Sequence, residues 1–213
     1  MQYTTGTKGE RRLQNFEFVI PVVVGTAAFY LGKKATEYHS HKWTLYLRTS
    51  KWRRPDSSCK QDVRRTSALQ VVFQLHPSFD SPMREYTHPP YEVTETGWGE
   101  FEIAVILHFT DDAGEEPVEL YHRLKLYGED DPSGQASTKK PVVSETYEEL
   151  VFREPAETFY QRVANHMPVP APPMSQSQWF TTFHPQEDLR KFSAARQRVA
   201  GMTASVQRQL EAA

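Results

Sequence analysis

One cysteine, Cys59, stands alone in 213 residues, which excludes an intramolecular disulfide framework and suits a reducing compartment. Cys59 has no neighbouring histidine and sits in a polar stretch, so it lacks the setting of a catalytic thiol. The chain also lacks a phosphate-cradling glycine loop, a Gly-x-Ser-x-Gly elbow and any zinc-type cysteine spacing. His39 and His41 lie two apart with no third ligand in reach, which argues against a metal site. No constellation supports an enzyme, and no cofactor motif is present. The formal net charge of −2 is far from the strongly basic balance of a dedicated nucleic-acid-binding domain. Long hydrophobic runs are missing too. The longest apolar stretch, Phe16 to Leu31, is shorter than the about 20 residues needed to span a bilayer. It follows Lys8, Arg11 and Arg12 as a signal peptide would, but Pro21, Gly25 and a series of β-branched residues favour a bent strand.

What is present is repeated short strands separated by turn chemistry. Leu69, Val71, Phe73 and Leu75 share one face, as do Phe101, Ile103, Val105, Leu107 and Phe109. Strands are expected over 18–24, 42–49, 68–75, 91–95, 100–110, 117–127 and 142–152, an all-β sandwich pattern. The first 15 residues are polar and expected to be flexible. Residues 48–65 carry seven basic side chains against Asp56 and Asp62, a local balance of +5 in the longest polar insertion. This is the place to look for an electrostatic contact, including one with DNA.

After Phe152 the character changes. A short helix from Glu157 is followed by Met167-Pro168-Val169-Pro170-Ala171-Pro172-Pro173, a stiff extended linker. A helix is then expected over 186–212, acidic in its first turn. Leu189, Phe192, Arg196, Val199, Thr203, Val206 and Leu210 alternate at spacings of three and four, a heptad seam weakened by Arg196, Thr203 and Gly201. A helix of this kind either packs back on the sandwich or takes its apolar partner from another protein.

Three separated segments carry the functional signal. They are Tyr38-His39-Ser40-His41-Lys42-Trp43, His76-Pro77-Ser78-Phe79, and Pro89-Pro90 leading to Gly97-Trp98-Gly99-Glu100-Phe101. Alone, the last is compatible with a core tryptophan beside a tight turn. Ser78 alone reads as a turn residue, and His76 alone as a bond to loop backbone. Together, in this order, the three resemble the YEATS domain family, as do Val19-Ile20-Pro21-Val22-Val23-Val24-Gly25 with Gly32-Lys33-Lys34, Leu120-Tyr121-His122-Arg123-Leu124-Lys125-Leu126 and Val142-Val143-Ser144-Glu145. The likeness covers roughly residues 16–153, and the Gly-Trp-Gly-Glu-Phe form resembles the branch found in chromatin-remodelling and histone acetyltransferase complexes.

The resemblance implies an immunoglobulin-like β-sandwich over 16–153, a short helix and Pro-rich linker over 154–185, and an assembly helix over 186–212. It implies a nuclear, non-catalytic reader of acylated lysines on histone tails, H3 in particular, within a complex that exchanges histone variants or acetylates histones. Carried over residue by residue, the acyl-lysine pocket falls on His39, His76, Ser78, Phe79, Gly97, Trp98, Gly99 and Phe101. The alternatives are a purely structural scaffold subunit and a DNA-contacting module. The chemistry fits a neutral ligand. Trp98 and Phe79 offer aromatic faces for a planar amide, Ser78 a hydroxyl for its N–H, and backbone near Trp98 an N–H for its carbonyl. None of the assigned residues is acidic, so an ammonium would lose hydration with no counter-ion. Glu95 and Glu100 would weaken that argument if they faced the pocket. Where some family members use an acid to hold a tail arginine, this chain has His122, Arg123 and Lys125.

Overall fold

The computed structural model describes residues 3–6, 9–49, 69–128, 138–165, 174–180 and 185–211. The basic segment from residue 50 to 65, Cys59 and the proline run to Pro173 lie outside the described residues. The strands are β1 (Tyr3–Thr5), β2 (Arg11–Leu13), β3 (Glu17–Tyr30), β4 (His41–Thr49), β5 (Leu69–Gln74), β6 (Met83–Tyr86), β7 (Tyr91–Gly97), β8 (Glu102–Phe109), β9 (Val118–Arg123) and β10 (Val142–Arg153). The helices are α1 (Glu157–Asn165) and α2 (Pro185–Glu211). Two antiparallel four-stranded sheets, ordered β10-β3-β4-β7 and β6-β5-β8-β9, face each other. Alternation decides what they bury: Trp43, Leu45 and Leu47 from one sheet meet Val71, Phe73, Ile103, Val105 and Leu107 from the other.

Pro21 sits within β3, a central strand, where proline is ordinarily excluded. It does so without interrupting a ladder on that side, because pairing with β4 begins only at Val22, while Pro21 faces Glu149 of β10. Further along, Gly25 lies under the ring of Tyr46 on the outer side of the sheet. Tyr46 is fully buried there and donates its phenolic hydrogen to Glu145, which also pairs with Arg48 at 3.1 Å.

Three expectations are corrected. The N-terminal segment, expected to be loose, forms the β1–β2 hairpin. Its turn uses Gly9 at φ 81, and it is fastened by buried Leu13 and by Arg12, which reaches the Glu154 carbonyl at 2.7 Å and the Glu115 carboxylate at 2.6 Å. The strand expected over 117–127 stops at Arg123, because the Glu100 carboxylate takes the Leu126 and Tyr127 N–H groups that a ladder would otherwise use. The stretch from 154 to 185, expected to be a short helix and a Pro-rich linker, holds that helix, and its described parts are docked rather than free. Phe159 of α1 is buried beside Phe18 and Phe152, Ser175 bonds Glu92, and Trp179 meets Phe29 edge-on at 6.0 Å.

The chain divides into two units, 1–179 and 180–213. Within the second, α2 leaves Leu189, Phe192, Val199 and Met202 all more than 60% exposed. No helix among the described residues is long and apolar enough to cross a membrane.

Candidate functional site

At one end of the sandwich, two loops from opposite sheets stand across a cleft of about 570 Å³. One loop follows β5 and carries His76 to Ser81. The other follows β7 and carries Trp98 and Gly99. All eight sequence-selected residues, His39, His76, Ser78, Phe79, Gly97, Trp98, Gly99 and Phe101, line this one cleft. Sequence reasoning missed Tyr38, Asp80, Arg84 and Thr96, and left open whether Glu95 and Glu100 face it; they do.

The walls are aromatic but unequal in rigidity. Phe79 packs edge-on against fully buried Trp43 at 5.8 Å and lies 5.7 Å from Phe101, so its position is set by the core. Trp98 is 60% exposed and has no ring partner among the described residues. A core role for Trp98, the competing reading from sequence, does not match that exposure. Neither Gly97 nor Gly99 takes a positive φ, so their contribution is space rather than unusual backbone. A side chain on Gly97 would enter the gap between Trp43 and Phe79, at 3.5 Å and 3.8 Å from their nearest atoms. The Gly97 carbonyl is held by the Ser40 amide and hydroxyl, while the amides of Trp98 and Gly99 make no hydrogen bond to a described residue.

Hydrogen-bond direction assigns the polar chemistry. The Ser78 amide can only donate, and it points at His76 Nδ1 at 3.2 Å, so Nδ1 is the accepting nitrogen. Ser78 Oγ, 2.8 Å from the same nitrogen, must therefore donate its hydrogen there. The lone pairs of Oγ are left to accept from a ligand N–H. His39 Nδ1 meets Thr96 Oγ1 at 2.9 Å on the facing rim. His41, two residues on, does not line the cleft and is buried between Tyr30 and Tyr127. Burial pushes the His41 imidazole toward its neutral form, against the pull of Glu100.

The cleft is not free of acid, contrary to the expectation drawn from the eight assigned residues. Glu95 is paired with Arg84 at 2.7 Å, and Glu100 accepts two backbone N–H groups. Two of the three carboxylates are thus already engaged, and Asp80 lies exposed at the mouth. His122 is buried between the sheets, bonded to Thr26 Oγ1 at 3.2 Å and Thr146 Oγ1 at 3.0 Å. It is not part of a tail-binding surface, whereas Arg123 beside it is exposed.

The cleft is thus an aromatic-walled groove at the end of an immunoglobulin-like sandwich, with one directed acceptor and two open amide donors. Comparison with known proteins gives the family. The YEATS family model matches residues 38–128. The transcription initiation factor TFIID subunit 14b of Arabidopsis thaliana is 42% identical over 233 residues, covering 97% of this chain and 83% of that protein. The AF-9 homolog of Saccharomyces cerevisiae is 30% identical over 167 residues, covering 71% of this chain and 70% of that one. The crystal structure of the Yaf9 YEATS domain bound to H3K27ac aligns at 31% identity with a TM-score of 0.56, covering 73% of this chain and 99% of that domain. The Yaf9 YEATS domain recognising an H3K122suc peptide aligns with a TM-score of 0.53 at 31% identity, covering 73% and 98%. The chain belongs to the YEATS family.

Proposed function

We propose that this chain is a histone acyl-lysine reader and a non-catalytic subunit of nuclear chromatin-remodelling or histone acetyltransferase complexes. The observation that carries the reading is the polarity of the cleft: Ser78 Oγ is fixed as an acceptor, and two amides beside Trp98 are free to donate. A secondary amide needs that complement, one acceptor for its N–H and one donor for its carbonyl. Trp98 and Phe79 supply π faces for its plane. A free ammonium, which carries donors only, has no use for the two amide donors. The Yaf9 domain structures with H3K27ac and an H3K122suc peptide support testing acylated H3 peptides first. His39, His76, Ser78, Phe79, Gly97, Trp98, Gly99 and Phe101 are the proposed contact residues.

The deciding experiment titrates the full chain with acetylated and unmodified H3-tail peptides. Binding in the micromolar range or weaker, about −8 kcal/mol or smaller in magnitude, is expected for the acetylated peptide. Equal affinity for both peptides would end the reader hypothesis. The assembly role rests on a separate observation, the exposed apolar row of Leu189, Phe192, Val199 and Met202 on α2. Pull-down of partner subunits by the isolated second unit tests it.

A further inference from the structure

The two walls of the cleft belong to different sheets, so its width depends on what holds those sheets together at that end. Arg84, on β6, is placed to do this. Its Nε donates to the Ser81 carbonyl at 2.7 Å, and Nη2 donates to the Asp80 carbonyl at 2.9 Å. Nη2 also reaches across to Glu95 on β7, 2.7 Å away in the opposite sheet. The loop that Arg84 grips runs from His76 to Pro82 and contains Ser81 at φ 53, a left-handed conformation that serine rarely adopts without support. Two backbone bonds close the same loop, Leu75 N–H to Pro82 O at 2.9 Å and Phe79 N–H to His76 O at 3.0 Å.

We propose that Arg84 is a positioning residue that clamps the Ser78–Phe79 loop against β7 and thereby sets the spacing of the acyl-lysine contacts. The proposal rests on the reading that this cleft binds acyl-lysine. Arg84 itself need not touch the ligand, since three of its five N–H donors are already committed to two loop carbonyls and a carboxylate. Guanidinium geometry is what the job requires: planar donors fan out from one group, which the single point charge of lysine cannot reproduce. Without the clamp, Ser78 and Phe79 have to be ordered when the peptide binds. Ordering two contact side chains at that moment corresponds to a loss of about tenfold in affinity.

The test compares wild type with Arg84→Lys, Arg84→Ala and Glu95→Ala in the full chain. Each is titrated with acetylated and unmodified H3-tail peptides, and amide hydrogen exchange is followed. Arg84→Lys and Arg84→Ala are expected to lose about tenfold in acetyl-peptide affinity, and Glu95→Ala somewhat less. The Phe79 amide should exchange faster, while Phe73 and Val105 in the core strands stay protected. Wild-type affinity and unchanged Phe79 exchange in Arg84→Lys would overturn the proposal. So would a loss of protection spread evenly over the core, which marks a residue of general stability. If Arg84→Ala fails to fold, the lysine and Glu95→Ala variants still decide. Failure of the reader hypothesis shows differently: wild type itself would then not prefer the acetylated peptide, whatever the exchange data say of the loop.

Discussion

His122 makes folding stability depend on pH in a calculable way. The ring is 2% exposed, and desolvation holds its pKa at about 4, against an ordinary value of 6.5 and against the raising influence of Glu145. Between those values the unfolded chain carries a proton on this imidazole and the folded chain does not. The unfolded state therefore gains as pH falls, and stability declines from about pH 6.5 until the folded ring titrates near 4. The interval corresponds to about 3 kcal/mol, at no more than about 1.4 kcal/mol per pH unit. His41, also lowered by burial, acts in the same direction. Urea unfolding of wild type and His122→Gln at four pH values from 7.5 to 4.5 separates this group from the carboxylates, which both proteins share. The variant is expected to be less stable at pH 7.5, having lost one or both threonine bonds, and to show a flatter decline. The gap between the two should close by about 3 kcal/mol toward pH 4. Parallel curves across the range would refute the argument, because they would mean that the buried ring takes up its proton without cost to the fold.

The other predictions concern the cleft, the outer sheet face and the tail. Trp98→Ala should cost about 1–3 kcal/mol of acetyl-peptide binding while leaving the far-UV spectrum unchanged, and unfolding would place Trp98 in the core instead. Ser78→Ala should cost about 1 kcal/mol, the value of one hydrogen bond, in the same titration. Gly25→Ala puts a methyl 2.5 Å from Tyr46 Cε2 and should lower stability by about 1–3 kcal/mol in chemical denaturation; an unchanged midpoint would show that Tyr46 yields freely. A chain cut after Trp179 should keep peptide binding and lose co-purification with partner subunits. Entry of that shortened chain into its complex would move the assembly surface onto the sandwich.

The seven strands expected from alternation are all present, because a strand with one face in the core writes its period into the sequence. β6 was not foreseen. Its Met83-Arg84-Glu85-Tyr86 is short and mostly polar, and only pairing with β5 makes it a strand. The β1–β2 hairpin escaped for a similar reason: one buried residue, Leu13, anchors it, and the arginine contacts that fasten it reach to Glu115 and Glu154. The cleft was legible where residue types are distinctive, as in His76-Pro77-Ser78-Phe79 and Gly97-Trp98-Gly99. Arg84 and Glu95 were not, since a charged pair between sheets looks in sequence like two solvated side chains. Any hydroxyl can accept, so the sequence leaves the role of Ser78 open. Its direction came only from the geometry of the His76 ring.

The pairing of β3 has a consequence for how the protein is made. Phe18 faces Phe152 and Ala28 faces Val142, so one side of β3 finds its partner only at the far end of the domain. At about 5–20 residues per second, the ribosome delivers β10 roughly 10 s after β3 has emerged. Throughout that interval Val19, Ile20, Val22, Val23 and Val24 form an unpaired β-branched ribbon, the composition most prone to pair with a neighbouring nascent chain. Completion of the sheet therefore depends on β10 reaching that edge before another chain does.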